Sequence, residues 1–166
     1  MHMKVKYSVK TKEEDNKLII SAYRKLLRHS KSIINSSDSK KIKKAFRIAL
    51  DAHKDMRRKS GEPYIIHPIS VAQICVQEIG LGTTSIIAAL LHDVLEDTDA
   101  TAEDLEKRFN KEILGIVEGV TKLGKYKFQS KEERHAENFR KMFLAMAEDV
   151  RVILLKLCDR LHNMRT

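Results

Sequence analysis

Hydrophobic positions along the chain recur at intervals of three and four residues, which is the spacing of one face of an α-helix. In the first third of the sequence this pattern predicts one helix that begins near Leu18 and ends in the polar run 36–39. It predicts a second helix that continues from Ile42 toward Arg57, where glycine and proline at 60–63 interrupt the pattern. Both helices are amphipathic, so each is expected to bury one face against other helices.

The rest of the chain continues the helical pattern. A helix with Pro68 in its first turn, so that His67 lies at the helix entrance, ends at Gly80, and another runs from Thr83 through Asp97. The remaining sequence predicts helices and one mobile loop: helices at 101–109, 113–120, 132–147 and 149–165, and the loop at 121–131. The last helix is apolar nearly all round, which places it in the centre of a bundle. No segment alternates like a strand, so the predicted fold class is all-α.

Charged residues are unevenly distributed along the chain. The 166 residues carry 32 Lys+Arg and 23 Asp+Glu, a net charge of +9, yet residues 1–60 hold 18 of the basic and only 6 of the acidic side chains. The lysines between 40 and 44 fall on the predicted solvent face of the second helix without interleaved aromatic residues, which favours a solvated surface over a nucleic-acid site. Cys75 and Cys158 lie in apolar helical patterns and are expected to be buried thiols without a disulfide framework.

Apolar runs in the sequence are short. None approaches the ~20 residues that a membrane span requires, and the N-terminus has no hydrophobic signal-peptide region. We therefore expect a cytoplasmic protein with no membrane partner.

Polar residues of a different kind stand at the end of the helix predicted from Thr83. Asp93 and Asp97 form an i,i+4 like-charge pair, which costs a helix about 0.2–0.5 kcal/mol. His92 and Asp93 are adjacent, so an imidazole nitrogen and a carboxylate oxygen can reach the same cation. Asp159 lies in the apolar last helix, where an unpaired buried carboxylate is costly. A bound metal ion would account for both anomalies.

The same residues also allow an interpretation without a metal. Glu96 and Asp97 suit a solvated helix end, and His67 suits a helix cap. Asp159 would then form an ion pair with one of three arginines, Arg151, Arg160 or Arg165. Spacing alone leaves the two interpretations open.

Three long segments together resemble the hydrolase domain of the RelA/SpoT family of alarmone enzymes. They are RKSGEPYIIHP at 58–68, AALLHDVLEDT at 88–98 and KLCDRLHNMRT at 156–166, and GVTKL at 119–123 and ENFRKM at 137–142 also fit. The resemblance covers residues 18–166 and leaves 1–17 as a basic lead-in. That family belongs to the HD superfamily of metal-dependent phosphohydrolases, so the resemblance implies a multi-helix HD-type bundle with a divalent-metal site in its centre.

The resemblance also implies roles for individual residues. The metal, commonly Mn²⁺ in this branch, would have the ligands His67, His92, Asp93 and Asp159. The acidic pair Glu96 and Asp97 would orient or deprotonate the attacking water, whose pKa a bound ion lowers. The nucleotide would be contacted by Arg58, Lys59, Asn163 and Thr166.

The implied reaction is hydrolysis of the 3′-pyrophosphate of guanosine tetra- or pentaphosphate, (p)ppGpp, to GDP or GTP and pyrophosphate, which terminates the stringent response. All metal and acidic positions of the family pattern are present, so we expect hydrolase competence. The sequence ends at Thr166 inside the third motif, which favours a fragment of a longer enzyme with synthetase and regulatory domains. A ribosome would be a partner through those further domains.

Two other functions stay open from the sequence. One is an HD phosphohydrolase for another nucleotide, such as the removal of the 2′-phosphate of NADPH that is associated with animal members of the same branch. The other is a catalytically silent regulatory module whose basic first half binds RNA or a partner domain.

Overall fold

The computed structural model describes residues 9–124 and 131–166, and helices joined by short turns make up these ranges. The elements are α1 (Val9–Ser30), α2 (Ser36–Ala52), α3 (Ile66–Ile74), a π-helical turn (Cys75–Ile79), α4 (Thr83–Leu91), α5 (Val94–Asp97), α6 (Ala102–Arg108), α7 (Lys111–Gly124), α8 (Lys131–Glu148) and α9 (Val150–Arg165). An isolated β-bridge joins Arg57 to Pro63, and the described ranges contain no strand. The predicted all-α fold class is confirmed.

Helix α4 is the most deeply buried element of the described fold. All of its residues from Ser85 to Leu91 are buried, and it packs against α2, α3 and α7. After its first three residues, its sequence IIAALL at 86–91 is apolar on every side, and alanines at 88 and 89 allow neighbouring helices to approach closely. The last turn of this central helix therefore brings His92 and Asp93 to the interior of the bundle.

Helix α9 differs from its prediction. It buries one face against α3 and α7, but Val150 and Leu157 on the opposite side are 51% and 52% exposed. The prediction that α9 lies in the centre is therefore wrong, and α4 occupies that place. An apolar sequence shows that a helix can be buried, whereas the neighbours that actually surround it are set by tertiary packing.

The boundary between the first two helices also differs. The polar run 36–39 begins α2 instead of ending α1, because Asn35 and Asp38 form a capping box. The side-chain oxygen of Asn35 accepts from the N–H of Asp38 at 2.8 Å, and a carboxylate oxygen of Asp38 accepts from the N–H of Asn35 at 3.1 Å. α1 begins at Val9, earlier than the periodicity from Leu18 indicates.

Two predicted helices end sooner than expected, and both ends supply residues to one site. α2 ends at Ala52 and does not continue toward Arg57. The helix predicted from Thr83 to Asp97 is interrupted at His92. A continuous helix would pair the carbonyl of Ala89 with the N–H four residues on, but this carbonyl accepts from the N–H and the ring Nδ1 of His92 instead.

The predicted mobile loop at 121–131 is wrong over its first four residues, and also at Lys131, where α8 begins. α7 continues through Gly124, and Thr121 is buried with its hydroxyl donating to the carbonyl of Val117 at 2.9 Å. This bond lets a polar residue extend the helix without leaving a buried hydroxyl unsatisfied. The part of the predicted loop at 125–130 lies outside the described residues.

Other expectations from the apolar pattern are confirmed. Cys75 and Cys158 are both buried and both free thiols. Gly80 ends the helical segment after α3 in a left-handed conformation, with φ of 75°. In the ranges described, no helix combines the length and the apolar character needed to cross a membrane.

The approach of α7 to α9 generates a test of the packing that holds Asp159 in place. A Cβ added at Gly119 would lie 2.8 Å from Cγ2 and 3.0 Å from Cγ1 of Val152, whereas one added at Gly115 on the same helix meets nothing within 4 Å. We expect Gly119→Ala to lower the free energy of unfolding by about 1–3 kcal/mol through overpacking. Gly115→Ala should leave it equal or raise it by about 0.5–1 kcal/mol.

Urea denaturation of the two variants beside the wild type measures this difference. Equal stability of Gly119→Ala and Gly115→Ala would contradict the close contact between α7 and α9.

Candidate metal centre

Three parts of the fold converge on one point inside the bundle. His67 lies in the first turn of α3, His92 and Asp93 lie in the interruption between α4 and α5, and Asp159 lies on the buried face of α9. One potential ligand atom each from His67, His92 and Asp159 lies within 4.8 Å of the other two. The structure therefore brings together residues that are up to 92 positions apart in the sequence.

The imidazole nitrogens and carboxylate oxygens of the cluster lie close enough together to contact one common ion. Nε2 of His67 is 2.9 Å and Nε2 of His92 is 3.6 Å from the same oxygen, Oδ1 of Asp159. Oδ2 of Asp93 is 3.1 Å from Nε2 of His92 and 3.8 Å from Nε2 of His67. All four residues implied as ligands by the sequence are thus in one cluster.

The second ring nitrogen, Nδ1, of both His67 and His92 already has a partner. Nδ1 of His92 is 2.6 Å from the carbonyl of Ala89, which can only accept, so Nδ1 carries the proton. Nδ1 of His67 is 2.7 Å from Nδ1 of His162. Imidazole ligands of metals commonly use their second nitrogen in this way, because the outer hydrogen bond fixes the ring and its tautomer.

His92 provides the sharpest indication that a cation fits. Its Nε2 is buried and makes no hydrogen bond of acceptable geometry within the described structure, although two carboxylates lie close to it. A buried nitrogen without a hydrogen bond is costly unless a ligand engages it. Two imidazole nitrogens and two carboxylates are a donor set that suits a divalent transition-metal ion.

The electrostatics of the cluster also favour positive charge. Burial alone would lower the pKa of His92, but the carboxylates of Asp159 and Asp93 raise it to about 10, so a proton on His92 balances their charge without a metal ion, and a bound ion would displace that proton. Burial opposes ionisation of Asp93, yet His92 and Tyr64 bring its pKa down to about 2. The pKa of Asp159 is likewise held below its ordinary value, against burial, by His67 and His92. Both carboxylates are therefore ionised and attract a cation.

Further side chains hold the two carboxylates in place. The hydroxyl of Tyr64 donates to Oδ2 of Asp93 at 2.7 Å. Lys156 donates to Oδ2 of Asp159 at 3.1 Å, and the amide of Asn163 donates to Oδ1 at 3.2 Å. Two of the three arginines named as possible partners of Asp159 pair with other residues: Arg151 with Asp149 and Glu112, and Arg165 with Glu78. The third, Arg160, is exposed.

The acidic pair lies at the end of α5, next to the cluster. Burial and the nearby carboxylate of Asp93 raise the pKa of both Glu96 and Asp97. Oδ2 of Asp97 is 3.2 Å from Nε2 of His53, the residue that follows α2. Glu96 and Asp97 are thus carboxylates that exchange protons closer to neutral pH than ordinary ones.

A second polar cluster joins the 57–63 turn to the end of α9. A guanidinium nitrogen of Arg58 donates to the side-chain oxygens of Asn163 at 3.1 Å and Thr166 at 2.8 Å. The turn is closed by Gly61, whose φ of 102° favours glycine and whose N–H donates to the carbonyl of Arg58. Lys59 is exposed on the same turn. Because Asn163 contacts both Arg58 and Asp159, the two clusters are continuous.

Sequence reasoning did not assign a role to four residues that support these clusters. Three of them, Tyr64, Lys156 and His162, lie inside the motifs at 58–68 and 156–166, so their positions could have suggested contacts with the ligands. His53 falls on the apolar face of the second helix as predicted from the sequence, where a histidine is most simply interpreted as part of the core. No local signal distinguishes it from such a residue.

Comparisons with known proteins agree with this geometry. A family model described as HD domain matches residues 45–166. The bifunctional (p)ppGpp synthase/hydrolase SpoT of Escherichia coli K12 is 55% identical over 127 residues, which cover 76% of this chain and 18% of that protein. The guanosine-3′,5′-bis(diphosphate) 3′-pyrophosphohydrolase of Aquifex aeolicus is 52% identical over 128 residues, covering 77% and 18%. The chain therefore spans less than a fifth of the length of these curated relatives.

A solved structure extends the comparison to three dimensions. It is described as a metazoan orthologue of SpoT that hydrolyses ppGpp and plays a role in starvation responses. It shares 32% identity with a TM-score of 0.59, over 75% of this chain and 68% of that one. The chain therefore belongs to the HD domain family. Within that family it falls in the branch that contains SpoT, as the sequence motifs predicted.

Metal binding by the cluster can be tested without any substrate. We expect Mn²⁺ to raise the melting temperature of the wild-type chain, with about 2.7 kcal/mol of stabilisation at a concentration 100 times the Kd. Asp93→Asn and Asp159→Asn each remove a carboxylate ligand and should abolish the shift. Asp51→Asn removes an exposed carboxylate of α2 and should behave as the wild type.

Thermal unfolding with and without Mn²⁺, combined with calorimetric titration, measures these effects. Wild-type Mn²⁺ affinity in Asp93→Asn or Asp159→Asn would contradict the ligand set.

Proposed function

We propose that this chain is the hydrolase unit of a cytoplasmic, Mn²⁺-dependent (p)ppGpp 3′-pyrophosphohydrolase, which releases pyrophosphate from the alarmone and leaves GDP or GTP. The observation that carries this proposal is the convergence of His67, His92, Asp93 and Asp159 beside the Arg58 cluster, in a chain of the SpoT branch. The names of the related proteins support the substrate.

The organisation of the complete protein is part of the proposal. Residues 18–166 would form the HD hydrolase domain, preceded by the basic lead-in at 1–17. Curated relatives are more than five times as long as the matched segment, which supports synthetase and regulatory domains in the same polypeptide. Ribosome contacts, where they occur, would involve those domains.

The four central residues would hold the metal ion. Mixed imidazole and carboxylate donors suit Mn²⁺, Fe²⁺, Co²⁺ and Zn²⁺, and the choice of Mn²⁺ follows the family resemblance. When bound, such an ion supplies positive charge to the phosphoryl oxygens and lowers the pKa of water. Tyr64, Lys156 and Asn163 keep the carboxylates oriented by the hydrogen bonds described above.

Glu96 and Asp97 would act on the attacking water. Their raised pKa values bring them closer to neutral pH, where a carboxylate is most effective in taking up and returning a proton during turnover. The proton balance of the reaction requires such groups, because water loses a proton as it attacks phosphorus and the ribose 3′-oxygen gains one as it leaves.

Arg58, Lys59, Asn163 and Thr166 would bind the nucleotide. Arg58 presents a guanidinium group at the edge of the metal centre, and arginine is well suited to phosphate because its donors are planar and permanently charged. The side-chain oxygens of Asn163 and Thr166 now accept from Arg58 and would be available to the nucleoside on binding.

The function is tested by incubating the purified chain with ppGpp, with and without Mn²⁺ and with an excess of chelator, and measuring GDP and pyrophosphate. We expect Mn²⁺-dependent pyrophosphate release that the chelator abolishes. NADPH in parallel separates this activity from removal of a 2′-phosphate. Absence of turnover, also in a natural longer chain that retains metal and nucleotide binding, would contradict the proposal and favour a regulatory module.

Loss of the Arg58 side chain should weaken substrate binding in particular. A hydrogen bond to a charged group contributes about 1.5–3 kcal/mol, so Arg58→Ala is expected to raise KM for ppGpp by about 10- to 100-fold with the Mn²⁺ affinity unchanged. Lys54→Ala, an exposed cation before the same turn, serves as the matched control.

Steady-state kinetics at saturating Mn²⁺ measures this effect. An unchanged KM in Arg58→Ala would exclude this residue from the nucleotide site.

A further inference from the structure

His53 is a fully buried imidazole to which neither the motifs nor the ligand set gives a role. It directly follows α2, its side chain has no exposed surface, and both ring nitrogens have partners. Nδ1 lies 2.9 Å from the carbonyl of Ala49, and Nε2 lies 3.2 Å from Oδ2 of Asp97. Because a carbonyl can only accept, Nδ1 is the donor in the first of these hydrogen bonds.

The second nitrogen connects His53 to the acidic pair. Asp97 is the last residue of α5, a helix of four residues, and the next residue, Thr98, is extended. Such a short element constrains a terminal side chain weakly, and the side chain of Asp97 is 26% exposed. A rigid buried partner therefore has a large effect on where this carboxylate points.

His53 is itself held by its surroundings. The ring of Tyr64 packs against it with centroids 4.9 Å apart, and the Tyr64 hydroxyl donates to Asp93. The bond to Ala49 ties the imidazole to the end of α2, a helix that also packs against α4 and α5. The position of His53 is thus defined by α2 and by Tyr64, whose hydroxyl contacts a residue of the metal cluster.

We propose that His53 is a positioning residue, which holds the carboxylate of Asp97 in the orientation in which it acts during hydrolysis. The part of this inference that concerns hydrolysis rests on the proposed function. The part that concerns the pairing rests on the contact between His53 and Asp97. It distinguishes the two acidic residues of α5, which are both exposed, because Asp97 is paired with the buried imidazole that follows α2.

The kinetic test uses His53→Leu, which fills the space without hydrogen bonding, and His53→Gln, whose amide can still form a hydrogen bond with Asp97 in either direction. We expect His53→Leu to lower kcat for ppGpp by about 10- to 100-fold. This range is typical of residues that orient the groups of a metal centre through hydrogen bonds. KM and the Mn²⁺ Kd should stay within about twofold of the wild type, and His53→Gln should recover part of kcat.

A double-mutant cycle separates positioning from general stability. If His53 acts through Asp97, adding His53→Leu to Asp97→Asn should change kcat by less than about twofold, because the interaction is already lost. Asp51→Asn replaces Asp97→Asn in a control cycle, where the effect of His53→Leu should be undiminished. Wild-type kcat in His53→Leu, or effects of His53→Leu and Asp97→Asn that multiply, would overturn the proposal.

The pairing is also measured without turnover, from the ¹⁵N chemical shifts of the His53 ring by NMR. We expect Asp97→Asn to shift the Nε2 signal, with little change in Nδ1, whereas Asp51→Asn should change neither. An unchanged Nε2 signal in Asp97→Asn would overturn the pairing. If Asp97→Asn shifts the Nε2 signal, but neither the wild-type chain nor a natural longer chain that binds metal and nucleotide hydrolyses ppGpp, the pairing is sustained and the proposed function is refuted.

Discussion

A carboxylate inside an apolar helical bundle is the constraint on which the rest of this structure depends. An ionised Asp159 without partners would destabilise the fold by several kcal/mol, so the bundle must surround it with groups that compensate its charge. His67 from α3, His92 from the end of α4, and Lys156 and Asn163 from α9 itself surround it. This requirement constrains how α3, α4 and α9 approach one another. The potential metal ligands lie where these three helices meet.

Two irregular features of the fold place imidazoles beside carboxylates. The break between α4 and α5 places His92 and Asp93 around one point, and the early end of α2 places His53 beside Asp97. At both breaks an imidazole Nδ1 donates to a backbone carbonyl of the preceding helical turn, Ala89 in one case and Ala49 in the other. Each helix end thereby presents a ring Nε2 to a carboxylate. Such local departures from helical regularity are expected at functional sites.

Sequence reasoning reached the fold class and the four central residues, because amphipathic periodicity is a local property and the family motifs are long. It missed the central place of α4, the capping box at Asn35 and the helical continuation through Thr121, since these depend on which surfaces meet and on individual hydrogen bonds. For the same reason, the sequence did not predict the contact of His53 with the acidic pair. Its partner Asp97 lies 44 residues away, and only the packing of α5 against α2 brings the two together.

The central claim is that His67, His92, Asp93 and Asp159 form one divalent-metal site. The most direct measurement is a crystal structure of the chain grown with Mn²⁺, with anomalous diffraction data collected on both sides of the manganese absorption edge. We expect a single strong anomalous peak within bonding distance of the two imidazole Nε2 atoms and of both carboxylates. A peak coordinated by other residues, or none at a saturating Mn²⁺ concentration, would contradict it.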